Sequence, residues 1–363
     1  MRIKPAIDLR PRISHNQGIP TKHFFMKKTE SKRSSAFWLK RLRNPKIVTL
    51  TGIAPQVKVE DNCLILQNGI TVGEIEPKPT IYGKAAHGLQ WVIIDSFNGI
   101  VTIDALRWMH SQGIGIMIIS DGVSQILHDV EKPIVSLRRI QYTTDTLKLS
   151  QYILKGKFEN QLSNFPDLPN AEVIRLLIAG GITDYPDIQS LMLLKGRIAR
   201  DYWKYQAFTL RAFKKFPLWW QEFTTRSNGI NAPSNRHATH PINAILNYGY
   251  AVTAGMIKLH AVIAGLDVAC GSLHADNDRR DSLIYDLLEL LRADIDKLLL
   301  GWAKTVTWRR TDFVVDVQGV VSLEPNLKRV VAEKVIKLDS KSSKIVRKYV
   351  LLLLTIDYNH GLR

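Results

Sequence analysis

The sequence predicts an α+β protein, in which a small N-terminal β-rich domain is followed by a larger all-α C-terminal domain. Two patterns along the 363 residues support this fold class. Short apolar or alternating runs bounded by turn residues occupy residues 47–131, as expected of β-strands. From about Thr144 onward, apolar residues recur every three or four positions, as expected of amphipathic helices. The composition, 45% hydrophobic and 23% charged, is ordinary for a globular chain of two domains.

Four segments follow from these patterns. Residues 1–46 hold 13 basic and two acidic side chains without hydrophobic periodicity, so we expect a basic, flexible extension there. We expect residues 47–131 to form the β-rich domain, 132–145 a linker and 146–363 the helical domain. The extension is either a solubilising tail or an arm that follows the phosphates of a nucleic acid.

Turn residues order the first half of the β-rich domain. A strand is predicted at residues 48–51. A hairpin is predicted at residues 57–67, where Asp61 and Asn62 form the turn between two alternating runs. An apolar strand follows at residues 91–94.

One helix and a second hairpin complete this domain. Thr102 is placed to cap a helix at residues 103–111. An apolar strand at residues 114–120 then turns at residues 121–122 into a last strand at 123–127.

Five helices are predicted in the C-terminal domain, separated by glycine and proline residues. They span residues 147–162, 171–179, 188–208, 240–264 and 281–300.

Composition and motifs exclude several classes of protein. The 50 Lys and Arg residues exceed the 33 Asp and Glu residues by 17, which favours a polyanionic partner, nucleic acid before membrane. Cys63 and Cys270 are the only cysteines, which excludes a disulfide framework or a thiolate zinc site and favours a reducing cytoplasm. No apolar run approaches the roughly 20 residues that a bilayer requires. No phosphate-binding glycine loop, dinucleotide fingerprint or nucleophile-elbow serine is present.

The densest polar stretch lies at residues 271–292. His274 precedes a polar loop, and Asp286 and Glu289 are three residues apart on the helix that follows, so their carboxylates share one face. An imidazole and two carboxylates can hold Mg²⁺ or Mn²⁺. The alternative is an amphipathic helix with a solvated acidic edge.

A second polar motif lies at residues 240–250. Asn243 and Asn247 are four residues apart and share a helix face, with Tyr250 three residues beyond. These side chains either belong to a packed helix whose amides bond neighbouring backbone, or form a polar patch beside an active site.

Four separated segments resemble the CRISPR-associated adaptation endonuclease family, the integrase that inserts new spacers into a CRISPR array. Their sequences are KGKFENQ at 155–161, KGRIARDYW at 195–203, HPINAILNYGY at 240–250 and HADNDRRDSLIYDLLELLR at 274–292, with GVVSLEPNL at 319–327 as a further landmark. The resemblance spans roughly residues 47–335, and the order of the segments makes it specific.

This resemblance implies a homodimer joined through the β-rich domains and a DNA nuclease–integrase site in the helical domain. The site would hold Mg²⁺ or Mn²⁺ through His274, Asp286 and Glu289 and act on double-stranded or branched DNA. The small ferredoxin-like protein of the spacer-integration complex would be a further partner. In the family a fourth residue, a glutamate, stands directly before the Gly-Arg motif. Here that position is Lys195.

Helix periodicity places Lys195 on an inward-facing stripe. Its members are Ile188, Met192, Lys195, Ala199 and Tyr202. A lysine there must reach water or find a carboxylate, and the nearest expected ones are those of Asp286 and Glu289. We therefore expect its ammonium to replace the divalent ion as a counter-charge.

An alternative is that another acid serves as the missing ligand. Asp201 is six residues on and faces elsewhere, and Glu222 is remote.

Two hypotheses for function follow. The first is a metal-dependent DNA endonuclease and integrase. The second is a non-catalytic DNA-binding paralogue that supports an active homologue, which Lys195 favours. Several arginines in or beside the motifs are candidate contacts to DNA phosphates. They are Arg197, Arg200, Arg236, Arg279 and Arg280.

Overall fold

The computed structural model describes residues 47–71, 77–84, 87–120, 123–127, 134–220, 223, 226, 237–274 and 281–361. The predicted basic extension and the predicted turn at residues 121–122 lie outside this part of the chain.

The described residues form ten strands and ten α-helices. The strands are β1 (Ile47–Thr51), β2 (Gln56–Glu60), β3 (Cys63–Gln67), β4 (Thr80–Tyr82), β5 (Trp91–Asp95), β6 (Ile100–Val101), β7 (Gly115–Ser120), β8 (Val123–Leu127), β9 (Phe313–Val315) and β10 (Val321–Leu323). The helices are α1 (Ile103–Ser111), α2 (Val135–Thr143), α3 (Thr146–Asn164), α4 (Ala171–Ala179), α5 (Ile188–Ala212), α6 (Pro241–Ile263), α7 (Ser282–Glu289), α8 (Arg292–Ala303), α9 (Pro325–Val335) and α10 (Asp339–Gly361).

Two four-stranded sheets form the N-terminal part. The first has the order β1-β5-β7-β8, with the first three strands parallel and β8 antiparallel to β7. The second has the order β4-β3-β2-β6 and is antiparallel except for the β2–β6 pair. The chain is therefore α+β, as predicted, with a strand-rich region followed by a mostly helical one.

Local sequence signals produced the elements where they were expected. Asp61 and Asn62 have φ angles of 49° and 63° between the antiparallel strands β2 and β3, as the predicted turn requires. Thr102 accepts a hydrogen bond from the backbone N–H of Ala105 and caps α1.

The helical region differs from the prediction in two places. The single helix predicted at residues 281–300 is wrong, because the chain forms α7 and α8 with a break at Leu290 and Leu291. The region also contains the short antiparallel hairpin of β9 and β10, so it is not wholly helical. The segment at 132–145, predicted as a linker, includes helix α2.

The first sheet is buried on both faces. On one face, Leu50 and Val92 pack with Trp108 of α1 and with the second sheet. On the other face, Ile93 and Met117 join the large core formed by the C-terminal helices. The first sheet therefore lies between two cores, one shared with the C-terminal helices and one shared with the second sheet.

The helices α3, α5, α7 and α8 meet at the centre of the helical region. Helix α6 packs on α7 and α8, and α3 packs on α8, α5 and α7. This arrangement brings the polar residues of four helices to one place. Within the described residues, no helix is both long enough and apolar enough to cross a bilayer.

Candidate functional site

The four residues singled out at the expected site lie in contact. Helix α5 carries Lys195, helix α7 carries Asp286 and Glu289, and the loop before α7 carries His274. The Nζ atom of Lys195 lies 3.0 Å from Oε1 of Glu289 and 3.2 Å from Nε2 of His274. The Nδ1 atom of His274 lies 2.6 Å from Oδ1 of Asp286. The expected approach of Lys195 to a helical carboxylate therefore occurs at Glu289.

Lys195 reaches this place from the edge of the buried face of α5. The predicted inward stripe is wrong in its centre, because Met192 is 39% exposed and the buried residues are Leu191, Leu194 and Ile198. Leu191, Leu194 and Ile198 each directly precede a predicted position, whereas Tyr202 is buried as predicted. This edge position leaves the side chain of Lys195 14% exposed while its ammonium contacts buried groups.

Asp286 is fully buried and its carboxylate is occupied by hydrogen bonds. The backbone N–H groups of Ser272 and Leu273 donate to Oδ2 at 2.6 and 3.0 Å. The backbone N–H of His274 donates to Oδ1 at 3.0 Å, and its Nδ1 lies against the same oxygen. Because a carboxylate accepts, Nδ1 of His274 carries the proton and Nε2 is left to accept from Lys195. Asp286 thus fixes the loop and the orientation of the imidazole.

Glu289 faces three cations. Besides Lys195, the Nζ atom of Lys157 on α3 lies 2.9 Å from Oε2, and Nε of Arg292 on α8 lies 3.2 Å from the same oxygen. The side chains of Glu289 and Lys157 are only 4% and 7% exposed. Lys157 and Arg292 belong to the motifs at 155–161 and 274–292, but their charge partner was not predicted. We call Lys157, Lys195, Glu289 and Arg292 the cation cluster.

Burial and attraction compete in the cation cluster. Burial alone would raise the pKa of Glu289, but Arg292, Lys157 and Lys195 outweigh it and hold the pKa well below its ordinary value. Burial lowers the pKa of Lys157, although the attraction of Glu289 opposes this. Glu289 is therefore held as a carboxylate by its neighbours.

These contacts do not fit a divalent ion. An ion held by His274 and Glu289 would need Nε2 and Oε1, and both atoms are bonded to the Lys195 ammonium. Asp286 has both oxygens occupied by donors. In the part of the chain that the structure describes, no three His, Cys, Asp or Glu side chains form a group that could hold a metal.

A second buried network adjoins the cation cluster. The hydroxyl groups of Tyr202 and Tyr250 donate to Asp296 of α8, the first at 2.7 Å. Burial raises the pKa of Asp296 despite these donors. The guanidinium of Arg292 lies 4.8 Å from the ring centroid of Tyr250, which joins the two networks. Asp296 belongs to none of the motifs in the sequence, so this residue was not predicted.

The amides of Asn243 and Asn247 belong to this second network. Both accept hydrogen bonds from the guanidinium of Arg226, which also lies 5.2 Å from the ring of Tyr250. These contacts place both amides against one guanidinium on a helix that is buried over most of its length, and the two interpretations offered for the amides both stay predictions.

Two of the five candidate DNA contacts, Arg197 and Arg200, lie in the described part of the chain. Arg197 and Arg200 are exposed on α5, but at about 100° per residue they lie about 160° and 140° around the helix from Lys195. Arg236, Arg279, Arg280 and the alternative ligand Glu222 lie outside the described residues.

The family model described as CRISPR associated protein Cas1 matches residues 85–337. A CRISPR-associated protein Cas1 of Methanobrevibacter ruminantium is 29% identical over 233 residues, which cover 57% of this chain and 65% of that protein. A CRISPR-associated endonuclease Cas1 of Pyrobaculum aerophilum is 28% identical over 189 residues, 48% of this chain and 56% of that protein. Both matches span less than two thirds of the relative's length.

Solved structures share the fold. A casposase bound to an integration product superposes with a TM-score of 0.69 at 19% identity, covering 86% of this chain and 91% of that one. A Cas1 protein from Thermotoga maritima gives a TM-score of 0.65 at 15% identity, covering 85% and 97%. A complex of Cas6-RT-Cas1 with Cas2 gives 0.60 at 15% identity, covering 86% of this chain and 35% of that one. Because the family model matches more than two thirds of the sequence, the chain belongs to the Cas1 family of CRISPR-associated proteins.

Proposed function

We propose that this Cas1-family chain is a DNA-binding protein of CRISPR adaptation that lacks metal-dependent cleavage and strand transfer. It would act as a structural subunit beside an active homologue. The observation that carries the proposal is the position of the Lys195 ammonium, 3.0 Å from Glu289 and 3.2 Å from His274.

The argument is electrostatic. Replacement of a glutamate by a lysine at residue 195 removes one negative charge and adds one positive charge. A divalent ion at this place would be repelled by the ammonium and would have to displace it from both of its partners. The formal charge of Lys157, Lys195 and Arg292 already exceeds that of Glu289 by two. A further cation would therefore add to the excess of positive charge in the cluster.

DNA is the partner that the charge and the relatives favour. The chain carries a formal charge of +17, which suits a polyanion. The structurally similar casposase is bound to an integration product, and a further neighbour is a Cas1 part of a complex with Cas2. We extend these partners to this chain as double-stranded or branched DNA and a Cas2-type protein. We also propose a homodimer through the strand-rich region, where Phe97 and Ile100 are 94% and 60% exposed.

The second candidate function is the metal-dependent endonuclease and integrase, with Mg²⁺ or Mn²⁺ at His274, Asp286 and Glu289. It is favoured by the contact between these residues, which a chain without catalysis need not keep. The saturated carboxylate of Asp286 and the bonded ammonium of Lys195 argue against it.

A nicking assay separates the two functions. The substrate is a labelled branched DNA with Mn²⁺, and the proteins are wild type, Lys195→Glu and Lys204→Glu. Lys204 is exposed on α5 nine residues along, and therefore on the opposite face, so its variant makes the same charge change away from the site. We expect nicked or joined product with Lys195→Glu alone. Wild type that forms product as fast as Lys195→Glu would overturn the proposal.

A further inference from the structure

We infer that the cation cluster is itself a phosphate site, in which Lys195 and Arg292 contact a DNA phosphate directly and without metal. This inference rests on the proposed function, because it assigns a ligand to a site that does not hold a divalent ion. It predicts that binding of DNA at this site persists when every divalent ion is removed.

The charge of the cluster calls for an anion. One carboxylate, that of Glu289, faces three cations at 2.9 to 3.2 Å. Asp286 and Asp296 add two carboxylates beside the cluster, because Asp286 lies behind His274 and Asp296 attracts Arg292. With these carboxylates and Arg226 counted, four cations face three carboxylates, so one positive charge is left in excess in a largely buried setting, where an unpaired charge is costly. A phosphodiester would supply the missing negative charge.

The exposure of the side chains defines the side from which a ligand arrives. Lys157 and Glu289 are almost fully buried, whereas the side chains of Arg292 and His274 are 30% and 32% exposed. Lys195 lies between, with 14% exposed. Lys157 and Glu289 thus lie at the buried end of the site. Lys195 and Arg292 lie nearer to solvent, the first in contact with Oε1 and the second with Oε2 of Glu289.

Hydrogen-bond capacity agrees with this direction. An ammonium has three donors, and that of Lys195 forms an ion pair with Glu289 at 3.0 Å and a hydrogen bond with His274 at 3.2 Å. The third is available to a phosphate oxygen. Arg292 adds a guanidinium, whose planar donor groups suit phosphate. Lys195 would thus bind the DNA phosphate directly, with no divalent metal ion between the ammonium and the phosphate.

The test measures DNA affinity in EDTA as a function of salt. The probe is a fluorescent branched DNA, and the proteins are wild type, Lys195→Met and the control Lys204→Met. Lys195→Met leaves Glu289 paired with Lys157 and Arg292, so the buried carboxylate keeps its counter-charges.

We expect wild type to bind in EDTA. Loss of one phosphate contact should reduce the slope of log K against log salt by about 0.9. We expect Lys195→Met to weaken binding about tenfold, the size of one charge-assisted hydrogen bond. Lys204→Met should change neither the slope nor the affinity.

The outcomes separate this inference from the proposed function. If wild type does not nick DNA but Lys195→Met keeps the wild-type slope and affinity, the phosphate site is wrong while the proposed function stands. An equal loss in Lys204→Met would show a general charge effect and would also overturn the site.

A parallel calorimetric titration uses inorganic phosphate. If phosphate alone binds in a Lys195-dependent manner while DNA affinity is unchanged, the ligand is a free anion and the assignment to DNA fails. Nicking by wild type would instead overturn the proposed function.

Discussion

A single side chain, Lys195, contacts two of the residues that were expected to hold a metal, Glu289 and His274. Its contact with Glu289 could be anticipated, because helix periodicity and the position before the Gly-Arg motif both indicated a carboxylate partner, whereas its contact with His274 was not predicted. The contacts of Lys157 and Arg292 could not, because they depend on how α3 and α8 approach α7. The saturation of Asp286 depends on three backbone N–H groups in a loop, for which sequence gives no measure.

Glu289 is expected to be essential for stability. Glu289→Gln would remove the counter-charge of three cations, one of which, Lys157, is almost fully buried. Breaking a buried ion pair from one side costs about 3–5 kcal/mol. Urea unfolding of wild type and variant measures this difference in the free energy of unfolding.

The control is an exposed pair of the same type. Glu172 lies 2.6 Å from Arg175 on α4, with its side chain 79% exposed. Glu172→Gln should change stability little, since exposed ion pairs contribute about 0–1 kcal/mol. A Glu289→Gln protein as stable as the Glu172→Gln protein would show that the cluster does not need its carboxylate.

Among the secondary-structure elements, capping and turn residues were reliable guides and helix breaks within apolar runs were not. Thr102 and the Asp61–Asn62 turn fixed α1 and the first hairpin through local hydrogen bonds and backbone conformation. The break between α7 and α8 falls at Leu290 and Leu291, which carry no breaking signal. Packing decides it, since Leu291 is 1% exposed in the main core and α8 must turn to meet α3.

Helix α6 is expected to make stability depend on pH through its N-cap, His240. The Nδ1 atom of His240 accepts the backbone N–H of Ile242 at 3.1 Å, so it must be unprotonated. Burial beside Trp220 and Phe223 lowers the pKa of His240 to about 4. In the unfolded chain a histidine has a pKa of about 6.5. Between these values the unfolded state binds more protons, so stability should fall as the pH falls from 6.5 toward 4.

The variant His240→Asn keeps a capping acceptor that does not titrate in this range. The unfolding free energy of wild type should therefore fall relative to that of His240→Asn on acidification, by at most about 1.4 kcal/mol per pH unit. Chemical denaturation at pH 7, 6, 5 and 4 measures it. A constant difference over this range would show that His240 titrates alike in the folded and unfolded states.

Across the whole molecule, the fold class and the order of the two regions followed from hydrophobic periodicity. The packing of the two regions against each other did not, because the first sheet contributes Ile93 and Met117 to the core of the helices and Leu50 and Val92 to a second core. An apolar strand buried on both faces has no alternation to reveal this. Gly255 of α6 shows how close the contact is, since a Cβ there would lie 2.4 Å from Cε of Met117. The site in the helices is therefore held on a framework that includes the first sheet.

The central claim is that Lys195 takes the place of a divalent ion in this member of the Cas1 family. Calorimetric titration of Mn²⁺ into wild type and Lys195→Glu tests it most directly, with Lys204→Glu as the matched control. We predict that Lys195→Glu binds Mn²⁺ at least about tenfold more tightly than wild type or Lys204→Glu does, a difference of about 1.4 kcal/mol or more. Wild type that binds Mn²⁺ as tightly as Lys195→Glu would contradict the claim.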